Sequence, residues 1–102
     1  MASYGFHSEA LEEYLAATQY YLDYASPLVA AAFVAEVEAA IQTLLASPTM
    51  WAVIEEPQIR RYLLKQFPYS IHYRWEAEKD RVSVYAVMHF SRRPGYWRER
   101  VA

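Results

Sequence analysis

The chain contains no cysteine. Disulfide staples, thiolate nucleophiles and cysteine-based zinc sites are therefore excluded, and stability has to come from packing. Glycine is nearly absent as well, with only Gly5 and Gly95. That is too little for a loop whose successive backbone N–H groups cradle phosphate. No HExxH pair occurs, and the three histidines, His7, His72 and His89, stand far apart in sequence. Neither a metal nor a cofactor is expected. The longest apolar run, Leu28 to Ala35, falls far short of a membrane span and is followed by Glu36 and Glu38. The first residues lack the charged and apolar regions of a signal peptide, so a cytoplasmic location is expected.

What is present is apolar and aromatic. The 102 residues suit one domain, expected over 1–102, and 55% are hydrophobic, 17% aromatic, with ten tyrosines. Large rings favour a true core. Charge is divided along the chain. Residues 1–50 hold Glu9, Glu12, Glu13, Asp23, Glu36 and Glu38 and no lysine or arginine; all ten Lys and Arg follow residue 51. The first half is thus at −6 and the second at +4, within a total of −2. A cationic second half suggests a surface for an acidic partner.

The pattern of apolar positions predicts an α+β fold. Residues 3–7 read as a short edge strand. Ser8 reads as a helix cap, and Ala10, Leu11, Tyr14, Ala17, Tyr21 and Leu22 keep helical spacing to Tyr24, with Tyr20 and Tyr24 turned away from the core. Ser26-Pro27 opens a second helix, with Val29, Phe33, Val37, Ile41 and Leu44 in one stripe, ending at Ser47-Pro48. The short link between them makes an antiparallel hairpin. Residues 49–58 read as irregular. The period then becomes two: a strand over Ile59 to Phe67, a second carrying Tyr69, Ile71, Tyr73 and Trp75, a polar turn at 77–80, and a third with Val82, Val84, Ala86 and Met88 facing the core. Three to four antiparallel strands, twisted, with the two-helix hairpin packed on them, are expected.

Few residues offer chemistry. Glu12-Glu13 and Glu55-Glu56 read as solvated surface charge. The cations are more informative: Arg60, Arg61 and Lys65 on the first long strand, Arg74 on the second, and Arg92, Arg93, Arg98 and Arg100 in the tail behind His89. Arginines on neighbouring strand ends suit anion or carboxylate binding. Ordinary ion pairing and edge protection suit the same pattern.

Ser47-Pro48…Trp51, the run Arg61-Tyr62-Leu63-Leu64-Lys65-Gln66-Phe67-Pro68-Tyr69-Ser70-Ile71-His72-Tyr73, and Val84 through His89-Phe90-Ser91-Arg92-Arg93-Pro94-Gly95-Tyr96-Trp97 together resemble the RelE/ParE toxin superfamily, often named plasmid stabilization proteins. The opening Phe6-His7-Ser8-Glu9-Ala10 fits the same pattern. The resemblance implies the toxin of a type II toxin–antitoxin system, with a cognate antitoxin as partner. One branch of the superfamily cuts mRNA on the ribosome, and here Arg61, His89, Arg92, Arg93 and Tyr96 would be its catalytic parts. The other, ParE, poisons DNA gyrase. The ribonuclease branch tends to carry an arginine in the middle strand where this chain has Ser70, and ribosome binding favours strongly basic proteins. The expectation leans to a ParE-like gyrase poison, with a ribosome-dependent mRNA endonuclease and a non-toxic antitoxin-binding remnant as alternatives. Arg60, Arg61, Lys65, Arg74, Arg92, Arg93 and Arg98 are the expected partner-binding set, taking an amphipathic and acidic antitoxin segment on the basic sheet face or along the hairpin.

Overall fold

The computed structural model describes residues 2–101. Along the chain run β1 (Ser3–Phe6), α1 (Ser8–Tyr24), α2 (Pro27–Ala46), β2 (Val53–Glu55), β3 (Ile59–Leu63), β4 (Tyr69–Glu76) and β5 (Arg81–His89), with short 3-10 turns at Ala77–Lys79 and Arg98–Val101. The strands form one sheet in the order β1-β5-β4-β3-β2. β1 runs parallel to β5 and the other pairings are antiparallel. The expected α+β hairpin-on-sheet fold is present, with two differences. The sheet has five strands and is mixed, because α1 and α2 carry the chain from β1 across to the far edge of the sheet, leaving β1 free to lie parallel to β5. Part of the segment read as irregular forms the short edge strand β2.

Helix starts follow local chemistry. Ser26 Oγ accepts from Val29 N–H at 3.1 Å, with Pro27 in the first turn. The cap of α1 is His7, not Ser8: its Nδ1 accepts from Glu9 N–H at 3.1 Å. α2 has the length and apolar composition to cross a membrane. Here its Ala30, Phe33, Val37, Ala40, Ile41 and Leu44 are buried, and it serves as the core helix.

The core lies between the hairpin and one face of the sheet. Phe33 is fully buried, and its ring meets Tyr21 at 5.3 Å, Phe67 at 5.2 Å and Tyr69 at 5.2 Å. These edge-on and tilted pairs each add about 0.5–1.5 kcal/mol beyond the area they bury. Ile71, Tyr73, Val82, Val84 and Val87 supply the sheet's side of the same core. Tyr73 is buried, and its hydroxyl donates to Pro48 O at 2.8 Å, tying the end of the hairpin to β4.

Two strand details differ from the sequence pattern. β3 ends at Leu63, and Leu64 to Pro68 form a turn whose Lys65 and Gln66 backbone N–H groups donate to the Glu36 carboxylate of α2. In β5, Tyr85 is a bulge: Val84 pairs with Tyr73 and Ala86 with His72. The extra residue reverses the alternation, so Val87, not Met88, enters the hairpin core, and Ala86 moves to the opposite face.

Phe33→Ala leaves an aromatic-lined hole, and should lower unfolding free energy by about 3–5 kcal/mol. Chemical denaturation monitored by circular dichroism measures this loss.

Candidate functional site

β1 ends at Phe6, opposite Val84. Beyond that point β5 has no neighbouring strand on its outer side, and its backbone groups need other partners. Two side chains supply them. Glu13 of α1 accepts from Val87 N–H at 3.0 Å, and Arg100 of the tail donates to Tyr85 O at 3.0 Å. The same two side chains pair with each other through both terminal guanidinium nitrogens, at 2.9 and 3.0 Å, and the Arg100 Nε lies 3.2 Å from the Glu9 carboxylate. The Glu13 carboxylate also accepts from the Tyr96 hydroxyl. Arg92 stands 3.9 Å from it and covers the Tyr96 ring at 3.9 Å. Burial and the adjoining carboxylate hold the Tyr96 hydroxyl well above its ordinary pKa, so it stays protonated as a donor. Side-chain exposure is only 14% for Glu13 and 9% for Arg100. Glu13, expected as solvated surface charge, is instead the hub that fastens the tail. The sequence did hold a signal for this: Glu13 lies three residues after Ala10 and four before Ala17, both buried on the helix's inner side.

Beside this hub, a shallow groove of about 250 Å³ lies between α1 and the ends of β4 and β5, lined by Ala17, Tyr20, Tyr69, His89 and Arg92. His89 stacks edge-on to Tyr69 at 5.0 Å. Its Nδ1 accepts from Ser91 N–H at 3.0 Å, so the neutral ring carries its proton on Nε2.

The remaining expected site residues do not join this groove. Arg61 pairs in register with His72, and His72 with Ala86, on the face away from the helices. His89 pairs with Tyr69 on the helix face. Arg61 and His89 are thus separated by the sheet. Arg60 is spent on the carbonyls of Thr49 and Trp51. Arg98 makes a bidentate pair with Glu55 at 2.7 and 2.8 Å. Arg61, Lys65 and Arg93 are exposed, and Arg74 is partly so. Among the described residues these four take part in no ion pair. The single convergent cationic surface expected from sequence is therefore divided, and half of its arginines are used internally.

On the far face, Trp97 covers the centre of the sheet and packs with Ile59 and Ala86. Beneath it, His72 lies 5.1 Å from the Trp97 ring, and Ser70 Oγ meets His72 Nε2 at 3.0 Å. Ser70 and His72 are buried, at 1% and 3% exposure. Among the described residues no cluster of three or more possible metal ligands occurs.

Residues 4–94 match the family model for the ParE toxin of the type II toxin–antitoxin system parDE. The chain belongs to this family. Two solved structures share its fold. One is described as the chromosomal ParDE TA system from P. aeruginosa, with a TM-score of 0.71 at 18% identity over 87% of this chain and 95% of that one. The other is the isolated E. coli RelE toxin, with a TM-score of 0.65 at 19% identity over 100% of both chains. A search of curated proteins gave no significant match. As a ParE-family member within the RelE/ParE superfamily, the chain is the toxin half of a type II toxin–antitoxin pair, and the family implies a cognate antitoxin.

In this ParE-family chain, removing the hub leaves Arg100 with only the more exposed Glu9, 3.2 Å from its Nε, as counter-charge, and leaves the Val87 N–H and the Tyr96 hydroxyl without their acceptor. Glu13→Ala should cost about 3–5 kcal/mol, whereas the adjacent, exposed Glu12→Ala should change stability by less than about 0.5 kcal/mol. Paired urea titrations of the two variants read the difference.

Proposed function

We propose that this ParE-family toxin acts on DNA gyrase rather than by cutting mRNA on the ribosome, and that its antitoxin neutralises it by direct binding. The observation that carries this reading is the separation of Arg61 from His89 by the sheet. Cutting mRNA on the ribosome needs a base for the 2′-hydroxyl, cations for the phosphorane charge and a proton for the leaving group, all within reach of one phosphate. Of the other expected parts, Tyr96 is held by Glu13 and Arg92 lies beside the same carboxylate, so neither is free for a phosphate; Arg93 is exposed, and His89 carries a proton on Nε2 and so offers no base there. The middle strand presents Ser70, in contact with His72, at the place where the resemblance suggests an arginine for the ribonuclease branch. Gyrase poisoning requires binding and no hydrolytic group from the toxin.

Two surfaces suit the antitoxin. Arg61 and Arg74, on the far face, suit an acidic segment. The outer side of α1 presents Leu11, Leu15 and Leu22, exposed by 42%, 58% and 42% and spaced to lie along one helix face. That side belongs to the half of the chain without Lys or Arg, so an acidic segment is favoured on the far face and disfavoured on the hairpin. Either cellular target places the toxin in the cytoplasm.

Purified toxin should inhibit gyrase supercoiling or accumulate cleaved DNA complexes, while toeprinting of translating ribosomes shows no codon-specific cuts. Codon-specific cuts with unaffected gyrase overturn the assignment, as does unimpaired growth on induction without the antitoxin.

A further inference from the structure

We propose that residues 94–101 form an acid-released strap over the far face of the sheet, opened when His72 takes up a proton. The geometry has three parts. First, the strap is local and hinged. Pro94-Gly95 begins it, with Gly95 at φ 79°, a conformation that side chains disfavour. Its own backbone bonds are only turns, Arg98 N–H to Gly95 O at 3.0 Å and Arg100 N–H to Trp97 O at 2.9 Å. Second, it is fastened on one side by Arg100 to Glu13, Glu9 and Tyr85 O and by Tyr96 to Glu13, on the other by Arg98 to Glu55, and plugged by Trp97, which is 3% exposed. Third, the plug sits on an ionisable group that is poorly satisfied. His72 Nε2 meets Ser70 Oγ, but its Nδ1 is buried and has no hydrogen-bond partner among the described residues. A buried, unpaired ring nitrogen cannot hold a second proton cheaply while the strap is down.

The charges around His72 point the same way. β3 presents Arg61, which opposes a second cation beside it. Glu13 of α1 and Glu55 of β2 favour protonation, but each is neutralised by a strap arginine. β5 offers only Ala86 opposite, and β4 adds Ser70. Burial first, then Arg61, pushes the His72 pKa from 6.5 down to about 4. Lifting the strap restores water and returns the ring toward its ordinary value. The sign follows: the closed form binds fewer protons, so it loses ground as pH falls below about 6.5 and stops losing near pH 4. The hydrogen bond from Arg98 lowers the Glu55 pKa from its ordinary value, which favours the ionised form at this fastening. Between pH 7.5 and 5 the open population should rise about 30-fold. Opening would uncover Ser70 and His72 beside the already exposed Arg61, an interaction surface absent from the closed chain. This inference is independent of the gyrase assignment.

Hydrogen exchange of the full chain reads it directly. After correction for intrinsic rates, the Arg98 and Arg100 amides should lose about 30-fold protection between pH 7.5 and 5. The Ile71 amide in central β4 should keep its protection, and His72→Gln should flatten the strap's response. An unchanged strap, loss of protection shared equally with Ile71, or an undiminished response in His72→Gln overturns the proposal. NMR titration gives a second reading that does not depend on the folding of that variant. His72 should titrate below pH 5 in the parent and move toward 6.5 in Arg100→Gln, and an unmoved midpoint counts against the strap.

Discussion

The half-open edge of β5 is the constraint on which the rest of the site depends. β1 covers β5 only as far as Val84, and beyond it the sheet exposes an N–H at Val87 and a carbonyl at Tyr85. A carboxylate and a guanidinium satisfy these two groups, and because they carry opposite charges they also satisfy each other. One buried ion pair therefore performs three tasks: it closes a sheet edge, anchors α1 to the sheet and fastens the tail. Ion pairs taken from water are worth little unless their remaining lone pairs and protons are used. Here the backbone of β5 and the Tyr96 hydroxyl use them.

This arrangement also shapes the chemistry left at the surface. The arginines nearest the groove, Arg92 and Arg100, pair with Glu13 and Glu9, and those on the far face stand behind the sheet. A nuclease needs cations and a proton carrier around one phosphate; this chain distributes them over two faces. On the proposed reading, its acidic hairpin and divided basic half serve to hold other proteins rather than to grip RNA. The exposed leucines of α1 and the free Arg61 and Arg74 offer contacts of different character on opposite sides of the molecule.

Much of the fold was legible from pattern. The two helices, their hairpin and the strands β4 and β5 follow from the change of apolar period near residue 59 and from the Ser26-Pro27 cap. The misread features share one cause. A bulge at Tyr85, a parallel partner for β5 and a three-residue edge strand all depend on which strand lies beside which, and alternation along a single segment does not carry that information. Glu13 was misread for a related reason. Acidic residues near a helix start are ordinarily solvated, and only the neighbouring β5 edge and the distant Arg100 make this one a buried acceptor.

The amino-acid order alone determined a disulfide-free α+β chain, its toxin-family resemblance, the aromatic composition of its core and its charge division, because these depend on composition and on contacts a few residues apart. Which arginines remain free, on which face each histidine lies and what shields the sheet's far side were decided by tertiary structure. Those properties arise from pairs such as Glu13–Arg100, Glu55–Arg98 and His72–Trp97, whose members are far apart in sequence and acquire their chemistry only when the sheet brings them together.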